Sequence, residues 1–511
     1  MNSILTRRGR AAWGRCRLMT IVLLGLIAPA GAGQPMPRVA HEAPALDLRG
    51  QPPAARGTGA TVVHNGFVSH QVNIDTNGMN IVGDAANEPS LAIDPTDPSR
   101  IVIVWRQFDT VASDFRQAGW GYSHDGGTTW TAPGIVEPGI YRTDPVIDVD
   151  VDGVFYFYSL TSDFTCQTFI STDAGLSWLA PIPAFGGDKA WMAVDRTPSP
   201  GRGHLYAAWD DIGCCGDGWF TRSVDGGLTY DQPVPIPLEP IWGVTAVGPR
   251  GEVYVAGRLL ATAETFAVAR SSTARNAGAP LGFDFATAVD LGGAHVFFPN
   301  LGPNPRGLLG QVWVATDHSL GPRRGNVYLL CSVDPPDTDA MDLRFARSVD
   351  GGLTWSAPID PRPDGPMGIL DLIPWQWFGT LSVAPNGRLD IAWFETLNDA
   401  SFPFSQLLYS YSLDGGDTWR DAIEVSPDFN HWLGWPNQQF KIGDYFDMIS
   451  DNAGISIAYS ATFNQEQDIY YVRVDAVDCD LNGVLDSTDI AQGATDCNSN
   501  GQPDTCDVAL G

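Results

Sequence analysis

Along most of the chain, short runs of alternating apolar and polar residues are separated by Gly, Pro and Asp, with no helical spacing between them. Leu91-Ala-Ile-Asp94 is followed across a turn by Ile101-Val-Ile-Val-Trp105, Trp191-Met-Ala-Val-Asp195 by Leu205-Tyr-Ala-Ala-Trp209, and Leu381-Ser-Val-Ala384 by Leu389-Asp-Ile-Ala-Trp393. A period of two puts successive side chains on opposite faces, so each run predicts a strand and each pair a hairpin. The pattern returns at 146–149 with 154–158, 244–247 with 253–256, 312–315 with 327–330, and 448–450 with 455–458.

A second pattern follows most of these pairs. An octapeptide S-x-D-x-G-x-T-W recurs five times, from Ser123 to Trp130, Ser171 to Trp178, Ser223 to Tyr230, Ser348 to Trp355 and Ser412 to Trp419. Its Asp can bond the backbone ahead of it, its Gly tolerates positive φ, and its aromatic anchors the returning strand, so it predicts a turn between a third and a fourth strand. The copy at Ser271-Ser272-Thr273 has lost its Asp and Gly, and residues 469–472 are followed by none. Seven repeating four-stranded units predict an all-β β-propeller, in which radial repetition leaves only short edges. Six blades is the alternative if one weak unit is an insertion. The last unit lacks an outer strand, which residues 61–73 can supply to close the ring.

The octapeptides resemble the Asp-box, or BNR, repeats of sialidases and of secreted propellers without that activity. The resemblance covers residues 59–476 and implies that the boxes are structural and lie opposite the functional face. Arg222, Arg270 and Arg347, each just before a box Ser, share that role. Functional residues should then sit where first strands start and second strands end. Trp242, Gln311, Trp377, Lys441, Asp210 and Asp211 fall there, together with the ten candidates for chemistry: Glu88, Arg106, Arg142, Asp144, Asp188, Lys189, Arg258, Glu395, Asp444 and Tyr445. Sialidase chemistry, as the resemblance implies it, needs a Tyr/Glu nucleophile pair, an Asp acid/base and three Arg that clamp a carboxylate. Arg106, Arg142 and Arg258 are the arginines on offer, but the Arg-Ile-Pro signature of the first clamp is missing. A non-catalytic alternative binds a glycan or protein through Trp242, Trp375, Trp377, Trp432 and Trp435. Convergence of three arginines on one acidic pocket separates the two.

Composition narrows the partners. The 511 residues carry 59 Asp plus Glu against 30 Lys plus Arg, a formal charge of −29, and Lys189 and Lys441 are the only lysines. Nucleic-acid binding needs a basic surplus to displace counterions, so it is excluded. Residues 1–32 read as an export signal: five arginines precede an apolar run at 18–28 too short to span a membrane, and Ala30-Gly31-Ala32 offers a cleavage site. Arg7-Arg8 only partly fits a twin-arginine signal. Residues 33–58 form a Pro/Ala-rich linker. The expected product is secreted, periplasmic or on the cell surface, and not membrane-spanning. Cys214-Cys215, on a loop at the candidate face, fits either a vicinal disulfide or two free thiols.

The tail, residues 477–511, carries two matching 12-residue loops. Asp478, Asp480, Asn482, Asp486 and Asp489 occupy positions 1, 3, 5, 9 and 12 of the first; Asp496, Asn498, Asn500, Asp504 and Asp507 occupy those of the second, and Gly stands at position 6 in both. Oxygen ligands around a sharp glycine turn suit Ca2+. The loops resemble dockerin and thrombospondin type 3 repeats, the latter more closely because position 12 is Asp. The tail could also dock a cell-envelope protein.

Overall fold

The computed structural model describes residues 59–299, 302–336, 341–362, 374–397, 403–475, 489–490, 493–497 and 503–505. The export segment, the linker and most of both tail loops lie outside these. Among the described residues the named elements are all strands, and they form seven sheets. No helix among these residues is long and apolar enough to cross a membrane.

The chain is a seven-bladed β-propeller. Blade 1 spans residues 85–135, blade 2 142–184, blade 3 191–223, blade 4 240–289, blade 5 294–348 and blade 6 376–430. Blade 7 combines residues 447–474 with the hairpin of Thr61–His64 and Phe67–Gln71, which pairs antiparallel with Asp468–Val474 through Ser69 opposite Val472. The expected closing strand is therefore two strands. Successive inner strands touch one another around the full circle, so the ring leaves no open edge on its inside. Blade 3 has three strands, with a lone bridge from Phe220 to Val234 in place of a fourth.

Each octapeptide closes on itself in the same way. The Ser hydroxyl donates to the Asp Oδ1 at 2.7–2.9 Å and accepts the second Gly N–H at 2.8–2.9 Å. The Thr or Ser four residues after the Asp donates its N–H at 2.9 Å and its hydroxyl at 2.5–2.6 Å to the same carboxylate. These charge-assisted bonds favour the ionised form and lower the Asp350 pKa to about 2, the Thr354 hydroxyl contributing most.

The turns also join the blades. A Cβ on Gly127 would lie 2.1 Å from the ring of Tyr471 in blade 7, and one on Gly416 2.4 Å from Phe345 in blade 5. Arg222, Arg270 and Arg347 extend this stapling, donating to carbonyls that include Ala274 and Asn276, Gly351, and Gly415. In the decayed copy of blade 4, Asp284 supplies the missing carboxylate and accepts the Ser272 N–H and hydroxyl at 3.0 and 2.8 Å.

Register fixes which face is which. Ile101 pairs with Ser123 at the octapeptide end of blade 1, whereas Ala85 pairs with Phe108 at the other. First-strand starts and second-strand ends thus share the face opposite the turns, here called the top.

Candidate functional site

At the top of the inner strands the pairing slips by one residue, between Asn87 and Ser90, Thr143 and Val146, and Trp377 and Thr380. The residue at each slip takes a left-handed φ, Glu88 (+54°), Asp144 (+47°) and Phe378 (+57°), and so do Lys189 (+53°), just ahead of the first strand of blade 3, and Trp242 (+59°) in blade 4. Blade 7 uses Gly443 (φ +100°) close to that place, and a Cβ there would lie 2.9 Å from Glu88 Cγ. Such bulges re-aim side chains, and a left-handed non-Gly residue costs about 1–2 kcal/mol that its surroundings must supply. In three consecutive blades the re-aimed side chain is charged.

These charges meet at the middle of the ring. Asp444 Oδ2 takes both lysines, with Lys189 Nζ at 2.8 Å and Lys441 Nζ at 2.6 Å, while its Oδ1 accepts the Leu308 N–H at 2.9 Å. Glu88 Oε1 lies 3.1 Å from Arg106 and 3.7 Å from Lys441. Lys189 also stands 3.5 Å from Asp188 and 3.9 Å from Asp144, and its own N–H donates to Asp144 Oδ2 at 2.9 Å. Four carboxylates thus face three cations. Glu88, Arg106, Asp144 and Asp444 are buried; the network opens to solvent only at Lys189, 10% exposed, and Asp188, 22% exposed.

Burial and pairing pull these groups apart. Burial raises Glu88 to about 7 against the pull of Arg106 and Lys441, and raises Asp188 to about 6 against Lys189. Burial works the same way on Asp144 and Asp444, but Lys189 acting together with Arg106, with hydrogen bonds from Asp188 and the Lys189 N–H at Asp144, and with Lys441 at Asp444, outweighs it and holds both below the usual carboxylate range. Burial pulls the Lys189 pKa down, but Asp144, Asp188 and Asp444 together raise it well above its ordinary value.

Seven of the ten candidates share this site: Glu88, Arg106, Asp144, Asp188, Lys189, Asp444 and Tyr445. Tyr445 lies beneath the charges. Its hydroxyl donates to the Pro145 carbonyl at 2.8 Å, and its ring meets Trp191 at 5.4 Å, which in turn meets Trp313 at 5.2 Å. Rings from three blades so plug the middle of the propeller, and burial pushes the Tyr445 phenol well above its ordinary pKa.

Three candidates do not join. Arg142 precedes its bulge and turns along blade 2, bonding Glu137 and Gln167 over the ring of Phe169. Arg258 is held over the Trp242 ring at 4.2 Å and the Phe297 ring at 5.0 Å. Glu395 accepts the Trp393 indole N–H at 3.1 Å and lies 3.5 Å from Arg362. Only one of the three expected arginines reaches the acidic centre.

Of the expected tryptophans, Trp377 is fully buried in the core, its indole donating to Ser405 at 3.1 Å. Trp242, Trp375, Trp432 and Trp435 are half-buried. Trp242 donates to Asp210 at 2.9 Å and Trp432 to the Gly302 carbonyl at 3.0 Å, with Trp375 against that same glycine. Sequence reasoning missed Asn304, whose amide accepts the Ile442 N–H at 2.9 Å and donates to the Gly443 carbonyl at 2.8 Å, fixing the loop that carries Lys441 and Asp444. It lies in a loop with no periodicity to mark it.

Among the described residues no group of three or more His, Cys, Asp and Glu is arranged around a metal position. In the tail, the Cys497 N–H donates to Asp504 Oδ1 at 2.8 Å, a loop-closing bond between positions 2 and 9 of the second repeat.

No family model matches the chain, and no curated protein does. Solved structures do resemble it. A protein of unknown function from Dyadobacter fermentans shares 14% identity at a TM-score of 0.43, over 82% of this chain and 98% of that one. Trypanosoma rangeli sialidase with the inhibitor DANA shares 13% at 0.37, over 82% and 59%, so this chain spans about three fifths of that protein's length. The endosialidase of phage phi92 shares 9% at 0.46, over 81% and 69%. These likenesses concern the fold.

Proposed function

We propose that the protein is an exported, non-catalytic recognition propeller whose top face binds a glycan or glycoprotein. One observation supports this reading: Glu88 and Asp444 at the centre are paired with the protein's own Arg106, Lys189 and Lys441, and among the described residues Arg106 is the only one of the expected arginines at that centre. Binding falls to the half-buried rings of Trp242, Trp375, Trp432 and Trp435, since sugars stack on aromatic faces while nearby polar groups orient them. A glycan array probed with labelled protein tests it. Trp242→Ala and Trp432→Ala should each weaken binding at least about tenfold, the loss of one good stacking contact; arrays blank for the native protein contradict the reading.

An exo-glycosidase of sialidase type is the second reading, favoured by Asp144 and Asp188. Two neighbouring carboxyls with pKa values pushed in opposite directions are what general-acid chemistry requires. Export is supported by the arginine-rich, apolar N-terminus and by the Cys214–Cys215 disulfide, a bond of oxidising compartments. For the tail we propose Ca2+ ligation by Asp478, Asp480, Asn482, Asp486, Asp489, Asp496, Asn498, Asn500, Asp504 and Asp507, with a cell-envelope protein as its partner. The all-oxygen donor set suits a hard cation. Calorimetric titration with Ca2+ should release heat that EDTA abolishes, and a flat titration removes this assignment.

A further inference from the structure

The loop after the second strand of blade 3 carries adjacent cysteines whose sulfurs are joined, Cys214 to Cys215. Cys215 is exposed and has φ +78°, whereas Cys214 packs against the main core. This loop is zipped to the segment that presents Asp188 and Lys189. The Cys214 N–H donates to the Gly186 carbonyl at 3.0 Å, the Asp188 N–H to Ile212 at 2.7 Å, and the Asp210 N–H to Asp188 at 3.2 Å. Gly187 and Gly213 face each other so closely that a Cβ on either would lie 2.7 Å from the other's Cα. The Gly186 N–H also points at Cys214 Sγ, 3.5 Å away.

Elsewhere the network rests on continuous strands or on Asn304, but its solvent-open corner rests on this zipper. Lys189, with its left-handed φ, reaches Asp444 from a segment held by three backbone hydrogen bonds to the disulfide loop. We propose that Cys214–Cys215 is a thiol-exchange site, and that its cleavage releases residues 186–189 and so disassembles the open corner of the top-face site. The inference stands apart from whether that face binds a glycan.

The reacting partner is a small thiol or dithiol. One thiolate of a dithiol attacks the exposed Cys215 sulfur, and the Sγ–Sγ bond breaks with its electron pair leaving on Cys214. The second thiolate closes the reagent's own disulfide and frees Cys215. The two reagent protons end on the two cysteine thiols, so the protein disulfide is reduced and the dithiol oxidised. Cys166 and Cys331 are buried, and burial raises both thiols, so neither competes; Cys497 is exposed but lies in the tail, outside this loop.

Hydrogen exchange read by mass spectrometry on the full chain, with and without dithiothreitol, tests this. After reduction, amides of residues 186–189 and 210–214 should exchange at least about tenfold faster, while Gly227 and Thr229, in the octapeptide turn of the same blade, keep their rates. A chain carrying Cys214→Ser with Cys215→Ser should exchange fast at the same amides and ignore the reagent. Unchanged rates at 186–189 in protein shown to be reduced overturn the proposal. So does an equal acceleration at Gly227 and Thr229, which would make the disulfide a general stabiliser. Reduced native protein decides the matter even if the double variant fails to fold.

Discussion

The octapeptide turns and the charge network lie at opposite ends of the same strands and answer the same problem, polar groups at a sheet end, in opposite ways. Each turn makes its bonds within eight residues: one Ser, one Asp, one Gly and one Thr, or Ser177 in blade 2, bond one another, five times over. The network is satisfied only by assembly. Glu88 and Arg106 come from blade 1, Asp144 from blade 2, Lys189 from the entry to blade 3, and Lys441 and Asp444 from the entry to blade 7. A local motif tolerates drift, as blade 4 does by borrowing Asp284. A convergent one has no substitute for a missing member.

The largest effect should therefore come from Asp444→Ala. It removes the carboxylate nearest to both lysine ammonium groups, and breaking a buried ionic network costs about 3–5 kcal/mol. Urea unfolding measures it. A loss under about 1 kcal/mol would mean that solvent, not Asp444, neutralises the lysines.

The opposite end offers a matched pair. Gly126 and Gly127 both have positive φ, but a Cβ on Gly126 meets nothing within 4 Å, whereas one on Gly127 runs into Tyr471. Gly126→Ala should cost about 1 kcal/mol of backbone strain and Gly127→Ala about 2–4, as overpacking against blade 7 adds to it. Equal losses would show that the turns do not staple the blades.

A graded effect tests the seam between blades 7 and 1. Asp84 is fully buried there beside Asp468 and Glu466. Its partners are amides, Gln107 at 2.7 Å and Asn73 at 3.5 Å. Burial, then the charge of Asp468, raises its pKa to about 9. A raised acid binds its proton more tightly folded than unfolded, so its contribution is complete below the ordinary carboxylate range and lost as pH rises through 9. The melting temperature should fall from pH 6 to pH 9, and Asp84→Asn should flatten that fall. An unaltered slope in the variant contradicts it.

The smallest effect is expected from Ser412→Ala, which leaves the Gly416 N–H unpaired and should cost about 1 kcal/mol in the same urea experiment. More than about 3 kcal/mol would mean that these turns are as interdependent as the network.

This contrast also explains what was legible beforehand. The blades, their count and the ring closure follow from periodicity and repeated local turn chemistry, which act over few residues. The octapeptide position then indicated a candidate face, and seven of the ten candidates lie together there. What stayed hidden depends on side-chain direction. Arg142 sits at a strand start like Asp144, yet it lies before the bulge and turns outward. Glu88 and Asp144 precede proline, which biases a residue toward extended backbone, and both take a left-handed φ. Trp377 reads as a rim residue, but Ser405 binds its indole inside the core. Of the three arginines expected at the centre Arg106 reaches it, whereas Arg142 and Arg258 are held over aromatic rings.

The proposal of recognition without cleavage rests on the mutual pairing of the top-face charges. Release of fluorophore from a panel of aryl glycosides that includes a sialoside, measured for the native chain and for Asp188→Asn, tests this most directly. Neither protein should turn over any glycoside of the panel. Turnover by the native chain that Asp188→Asn abolishes would contradict it and make Asp188 a general acid.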